Sequence, residues 1–127
     1  MVGIVLVSHT SALALEVARL AHALAPEKAS IAVAGGTADN EVGTSADRIR
    51  MAIEVVNQGD GVVLLADIGS SVLTARILVE ELGDASITLA DAPLVEGAVA
   101  AAVVAGAGAP FSEVLASAEE ARGARKL

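Results

Sequence analysis

Residues 2–8 read VGIVLVS, an unbroken apolar run rich in β-branched side chains. A strand without polar alternation is buried on both faces, as in parallel sheets covered by helices. Residues 61–66, GVVLLA, repeat this pattern, and residues 30–34 and 86–90 are shorter predicted strands. Because helical patterns separate these runs, the sequence predicts an α/β fold: a four-stranded, mainly parallel sheet with helices on both faces, in three α/β/α layers. The pattern leaves the strand order open.

Apolar residues at helical spacing mark five helices. The inward residues expected in the first helix, which Pro26 ends, are Leu13, Val17, Leu20, Ala21 and Leu24. The second helix, capped by Thr44 or Ser45, should bury Ile49, Ile53 and Val56. The third, with Ser70 and Ser71 as candidate caps, should bury Val72, Ala75, Val79 and Leu82. The fourth, with Pro93 at its first position, should bury Leu94, Ala98, Val99, Ala102 and Val103, and the fifth Phe111, Val114, Leu115 and Ala118.

Length and composition indicate one globular domain and argue against several functional classes. The 127 residues are 54% hydrophobic and 19% charged, so we expect a single domain over residues 1–127, with a frayed tail at residues 123–127. The net charge of −8 and the single aromatic residue, Phe111, argue against binding to nucleic acids or anionic membranes. The absence of cysteine excludes disulfides and thiolate chemistry. The longest uncharged stretch, Gly97–Ser112, is too short to span a membrane, and no leader is recognisable, so we expect a cytoplasmic protein.

Small residues and hydroxyls follow the predicted strands, at the edge where open parallel sheets bind ligands. These segments are Ser8-His9-Thr10-Ser11, Gly35-Gly36-Thr37 leading to Gly43-Thr44-Ser45, Asp67-Ile68-Gly69-Ser70-Ser71, and Asp91-Ala92-Pro93. Three of them lead into helix N-termini, whose N–H groups and partial positive charge suit a phosphate. A nucleotide-binding enzyme is not indicated, because neither glycine-rich nucleotide motif is present and the only lysines are Lys28 and Lys126.

A phosphorylated histidine is the chemistry that this edge supports best. Neutral imidazole is a competent nucleophile near pH 7, and a carboxylate that accepts the hydrogen of one ring nitrogen leaves the other free to attack. His9 is therefore the expected phosphoryl acceptor and Asp67 the residue that orients its ring. Hydroxyl and N–H groups would hold the phosphoryl oxygens; the candidates are Thr10, Gly36, Thr37, Thr44, Ser45, Gly69, Ser70 and Ser71. The hypothesis needs neither a cofactor nor a metal.

Simpler interpretations remain open for these residues. His9 can be an ordinary loop histidine, Asp67 can merely cap the following helix, and Gly36 can be a turn residue. His22 lies off the apolar stripe and is expected to be solvated. A Ser–His–Asp hydrolase built from Ser70, His9 and Asp67 is conceivable, but the G-x-S-x-G motif is missing.

Five blocks of the sequence carry a resemblance to a known family. They are VGIVLVSHTSALA at residues 2–14, AGG at 34–36, GTSADRI at 43–49, GVVLLADIGSS at 61–71 and LADAPLVEGAVAAAV at 89–103. Over nearly its whole length the chain resembles the phosphoryl-carrier subunits (DhaM) of phosphoenolpyruvate (PEP)-dependent dihydroxyacetone kinases. These are similar to the IIA domain of the mannose-type sugar phosphotransferase system (PTS), which is dimeric and has a parallel α/β sheet flanked by helices.

The resemblance implies a cytoplasmic phosphorelay and a homodimer. The phosphocarrier HPr would pass a phosphoryl group to His9, which would phosphorylate ADP held on a DhaL-type kinase subunit that works with a DhaK-type subunit on dihydroxyacetone. Asp67 matches an aspartate beside the family's histidine, and the blocks at residues 43–45 and 69–71 match segments near the site. Longer members carry further carrier domains, so we expect the donor here to be a separate protein. A mannose-type sugar IIA domain and a non-catalytic PTS regulatory module are the alternatives.

Overall fold

Strands and helices alternate along the chain in the computed structural model, which describes residues 1–127. The strands are β1 (Gly3–Ser8), β2 (Ser30–Gly35), β3 (Val62–Ala66) and β4 (Ile87–Leu89). The helices are α1 (Ser11–Leu24), α2 (Ala46–Val56), α3 (Ser70–Leu82), α4 (Leu94–Gly106) and α5 (Phe111–Glu120), followed by a short 3-10 turn, Ala121–Gly123. The predicted α/β fold is confirmed. None of the helices combines the length and apolarity that crossing a membrane requires.

The sheet is parallel throughout, and its strand order is β2-β1-β3-β4. β1 therefore lies between two neighbours, and all six of its residues are buried. Val7 of β1 pairs with Ala34 of β2 and with Ala66 of β3. Because this register makes the three strands end level with one another, the segments that follow them meet at one edge of the sheet.

Each face of the sheet has its own apolar core. Ile4 and Leu6 point towards the face that α1, α4 and α5 cover. Val5 and Val7 point towards the opposite face, under α2 and α3. The absence of polar alternation in β1 thus follows from helices on both sides, as predicted.

The inward face of α1 differs from the prediction. Its buried residues are Ala14, Val17, Ala18 and Ala21. Leu13, Leu20 and Leu24, which were expected to face inward, are 42%, 42% and 57% exposed. α1 packs against α4, whose buried residues are also small: Gly97, Ala98, Ala101, Ala102 and Ala105. Helices lined with alanine can approach closely, and leucines would not fit between them.

The faces of α3 and α4 are also rotated relative to the prediction. In α4, Val99 and Val103 are only half-buried, because alanines occupy the inward positions beside α1. The buried residues of α3 are Ser71, Ala75 and Leu78. Val72 and Leu82, expected inside, are 39% and 37% exposed. The rotation of α3 turns Ser71 inward, towards the end of β1.

The helix starts bear out part of the prediction. Ser45 caps α2 by accepting a hydrogen bond from Arg48 N–H, so Ser45 rather than Thr44 is the cap. Pro93 occupies the N-cap of α4, one position earlier than predicted. Ser70 and Ser71 do not cap α3, because Gly69 takes that position.

Candidate active site

His9 and Asp67 meet because they follow neighbouring parallel strands. His9 comes directly after β1, and Asp67 directly after β3. The sheet pairing continues one step further, since Asp67 N–H donates to the Val7 carbonyl at 3.0 Å. The His9 ring nitrogen Nδ1 then lies 3.0 Å from Asp67 Oδ1. The predicted His9 and Asp67 are therefore in direct contact.

The Asp67 carboxylate is held by several donors besides the ring. Its Oδ2 accepts from His9 N–H at 2.9 Å and from Ser8 Oγ at 3.1 Å, and its Oδ1 accepts from Ile68 N–H at 2.7 Å. Burial alone would raise the pKa of Asp67, but hydrogen bonds from His9, Ile68 and Ser71 outweigh it and lower the pKa to about 2. Asp67 is thus ionised at neutral pH and can only accept hydrogen bonds.

The two nitrogens of the His9 ring face different partners. Nδ1 faces Asp67 Oδ1 and, also at 3.0 Å, Ser71 Oγ, whereas Nε2 lies 2.8 Å from Ser70 Oγ. An ionised carboxylate assigns the ring hydrogen to Nδ1, so Nε2 keeps its lone pair and accepts from the Ser70 hydroxyl. The ring is 25% exposed. Nε2 therefore carries the lone pair that could act as a nucleophile, in a side chain that is not fully buried.

The N-terminus of α3 opens beside this nitrogen. Gly69, its N-cap, has φ 49° and ψ −114°, a backbone conformation that side chains with a Cβ disfavour. No side chain caps the helix, and Ser71 N–H donates to the Ile68 carbonyl at 3.1 Å, so the first N–H groups that an anion could use are those of Ser70 and Val72. None of the hydrogen bonds or ion pairs of His9, Asp67 and Ser70 involves a lysine or an arginine. Among the groups that contact the His9 ring, backbone and hydroxyl dipoles are therefore the ones that can face a negative charge.

Four of the predicted residues shape the surrounding loops. Thr10 caps α1 by accepting from Leu13 N–H at 3.2 Å, and Gly36 N–H donates to the Ser8 carbonyl at 3.1 Å. Thr37 Oγ1 accepts from Glu41 N–H at 3.1 Å, within the loop between β2 and α2. With Ser45 at the α2 cap, none of these four residues hydrogen-bonds to the His9 ring.

Ser8, which the sequence analysis placed at the ligand edge without a role, contacts Asp67 in the structure. It is fully buried, and its hydroxyl lies between Asp67 Oδ2 and Thr10 N–H, from which it accepts at 3.2 Å. The only sequence signal for Ser8 was that its hydroxyl ends the apolar run of residues 2–8. One simpler interpretation fails: Asp67 does not cap α3, because Gly69 occupies that position. His22 is exposed, as predicted.

The fold and the His9–Asp67 pair can be compared with known protein families. The model of the EIIA-man family, described as the PTS system fructose IIA component, matches residues 3–115. The chain belongs to this family. The same fold recurs in the crystal structure of EF1359, a protein of unknown function. The TM-score is 0.82 and the sequence identity is 30%, over 94% of this chain and 93% of that one.

Within this family, the curated relatives carry one name. The phosphotransferase subunit DhaM of the PTS-dependent dihydroxyacetone kinase of Lactococcus lactis is 37% identical, over 88% of this chain and 89% of that protein. The phosphoryl donor subunit DhaM of Escherichia coli is 39% identical over 99% of this chain. The chain spans only 28% of the length of the latter protein. The predicted resemblance to DhaM subunits is thus confirmed.

Proposed function

We propose that this chain is a phosphohistidine carrier that accepts a phosphoryl group from HPr and passes it to ADP bound on a DhaL-type subunit of dihydroxyacetone kinase. The supporting observation is the His9 ring, which Asp67 holds at Nδ1 while Nε2 stays reachable. The names of the DhaM relatives support the acceptor system.

The transfer uses the Nε2 lone pair. In the first step Nε2 attacks the phosphorus of phosphorylated HPr, a bond from Nε2 to phosphorus forms, and the bond from phosphorus to the donor's histidine breaks. The His9 ring becomes a cation that keeps its hydrogen on Nδ1, and the ionised Asp67 stabilises this cation. In the second step an oxygen of the terminal ADP phosphate attacks the same phosphorus, and the lone pair returns to Nε2.

Ser70 and the start of α3 are the groups we assign to the phosphoryl oxygens. The Ser70 hydroxyl occupies the Nε2 lone pair at 2.8 Å in the unphosphorylated ring, so it must turn away before attack. Once turned, this hydroxyl and the first N–H groups of α3 can donate to the incoming oxygens. Gly69 permits the turn that places them there.

Exposed aliphatic side chains lie on the segments next to the site and offer a docking surface for the protein partners. Val42, Ile68 and Leu73 are 74%, 71% and 60% exposed. They stand on three segments that contact the site: Gly43 N–H donates to the His9 carbonyl at 2.9 Å, Ile68 follows Asp67, and Leu73 lies in the first turn of α3. Small apolar contacts of this kind suit transient encounters with two successive partners.

The experiment follows a labelled phosphoryl group. Labelled PEP, enzyme I and HPr are expected to label the wild-type chain and His22→Ala, but not His9→Ala, because only His9 lies beside Asp67. Addition of the kinase subunits and dihydroxyacetone should then move the label to dihydroxyacetone phosphate.

Other destinations of the label contradict the proposal. Full labelling of His9→Ala would remove His9 from the mechanism. Label that stays on the protein would favour a regulatory module, and transfer to a mannose-type IIB partner would favour the sugar system.

A further inference from the structure

Two hydroxyls beside Nδ1 have no part in the transfer steps above. Ser71 Oγ lies 3.0 Å from His9 Nδ1, and Thr44 Oγ1 lies 2.8 Å from Ser71 Oγ. Ser71 is fully buried and Thr44 is half-buried. Thr44 and Ser71, called the hydroxyl pair below, thus approach the ring at the nitrogen that does not react.

The direction of the hydrogen bond between Ser71 and Nδ1 decides which nitrogen of His9 carries the ring hydrogen. A serine hydroxyl has one hydrogen and two lone pairs. If Ser71 gave its hydrogen to Nδ1, the ring hydrogen would sit on Nε2, and Nε2 could not attack. Thr44 Oγ1, at 2.8 Å, competes for the Ser71 hydrogen. Because the ionised Asp67 carboxylate holds the ring hydrogen on Nδ1, Ser71 Oγ can accept from Nδ1–H while it donates to Thr44.

We propose that Thr44 and Ser71 are positioning residues that keep the His9 hydrogen on Nδ1 and thereby the lone pair on Nε2. With its own hydrogen engaged elsewhere, Ser71 presents a lone pair to Nδ1–H as a second acceptor beside Asp67. The same contact serves the phosphorylated ring, which also carries its hydrogen on Nδ1. The inference rests on the proposed role of His9 and adds two residues to it.

Burial makes the pair hard to replace. Ser71 has no exposed surface, so bulk water does not take the place of a lost partner. Thr44 also belongs to the loop after β2, where it forms a parallel bridge with Gly36, and the neighbouring Gly43 N–H holds the His9 carbonyl. The loop after β2 therefore reaches His9 through its backbone and through the hydroxyl pair.

The test removes the Thr44 hydroxyl and keeps the shape of the side chain. Thr44→Val keeps the branched side chain without its oxygen, and Thr44→Ser keeps the oxygen. Nitrogen NMR of the two imidazoles reports which nitrogen of His9 carries the hydrogen, with the exposed His22 as an internal reference. In Thr44→Val we expect the form with hydrogen on Nε2 to gain population. Phosphorylation of His9 by phosphoramidate, which needs no protein partner, should slow about fivefold, the factor for one ordinary hydrogen bond.

Rescue and a matched control separate positioning from general damage. Thr44→Ser should restore both the hydrogen position and the rate, and Ser71→Ala should change both in the same direction as Thr44→Val. Thr88→Val, which removes the hydroxyl of another half-buried threonine away from the ring, should change neither. A Thr44→Val protein with the wild-type hydrogen position and rate would overturn the proposal, as would a Thr44→Ser protein that behaves like Thr44→Val.

The hydrogen position is measured without any phosphoryl transfer. The hydroxyl pair is therefore tested even if His9→Ala is labelled as fully as the wild type, a result that would overturn the proposed function alone.

Discussion

Asp67 is the residue on which the hydrogen bonds of the site converge. Its carboxylate accepts from the backbone of His9 and Ile68, from Ser8 and from the His9 ring. Such a carboxylate fixes both the plane of the ring and the position of its hydrogen. The consequences of changing it can therefore be separated into an effect on transfer and an effect on stability.

Replacing Asp67 with asparagine should slow phosphoryl transfer to His9 at least about tenfold, the usual cost of losing a partner that orients a reactive histidine. Asparagine keeps the shape, but its amide can donate to Nδ1 and so favour the unreactive tautomer. The rate is measured with labelled phosphorylated HPr, and circular dichroism checks that Asp67→Asn keeps its fold. An unchanged rate in a folded variant would remove Asp67 from the mechanism.

The lowered pKa of Asp67 also predicts a pH dependence of folding. Since the pKa falls from 3.8 to about 2 on folding, the ionised carboxylate stabilises the folded state above about pH 4. This contribution should be lost as the pH falls from about 4 to about 2, because protons then bind the unfolded chain first. Urea unfolding of the wild type and Asp67→Asn should give free energies that converge over this range. A constant difference across it would contradict the assignment.

At the residue scale the sequence predicted the pair and two hydroxyls beside it, Ser70 and Ser71, but not which ring nitrogen each hydroxyl contacts. His9 and Asp67 could be found because each follows a buried strand at the edge where parallel sheets bind ligands. Ser8 could not, since a single hydroxyl after an apolar run has no spacing signal. The position of Ser71 beside Nδ1 depends on how α3 is rotated, which only the packed structure decides.

Among the elements, α1 differs most from its expected packing. Its leucines face outward and its alanines face α4. Apolar spacing identifies a helix and its approximate face, but Leu20 and Ala21 are adjacent and both apolar, so the pattern alone could not decide between them. The strands were easier to predict, because a run buried on both faces leaves no face to choose.

This packing predicts an inverted size preference along α1. Ala21→Leu should destabilise the protein by about 1–3 kcal/mol, because Ala21 is fully buried and the larger side chain overpacks the interface. Leu20→Ala should change the free energy of unfolding by less than about 0.5 kcal/mol, because Leu20 is 42% exposed. Both values come from urea unfolding. The opposite ranking would mean that the leucines face the core after all.

For the molecule as a whole, the level strand ends place the reactive ring among exposed aliphatic residues. Sheet order and register bring β1, β2 and β3 to one edge, and the loops that follow them carry Val42 and Ile68. The proposed docking surface and the proposed reactive nitrogen thus follow from the same topology. The alternation of strands and helices predicted this layout, whereas the strand order came only from the structure.

If partners dock on these residues, Ile68→Glu and Leu73→Glu should each raise the KM for phosphorylated HPr at least about tenfold, as expected when a buried apolar contact becomes a charge. Phosphorylation by phosphoramidate should stay at the wild-type rate, because neither substitution removes a hydrogen bond of the ring. Val55→Glu, at the 76% exposed Val55 on α2, serves as the control and should leave both rates unchanged. Equal KM values for all three variants would place the docking surface elsewhere.

No lysine or arginine hydrogen-bonds to His9, and this affects how tightly the site can bind phosphate. Dipoles bind a dianion more weakly than a guanidinium would, so free inorganic phosphate should be a poor competitor at this edge of the sheet. If the phosphoryl group is bound weakly, it can be transferred in either direction. The fraction of phosphorylated His9 then follows the ratio of phosphorylated donor to unphosphorylated acceptor.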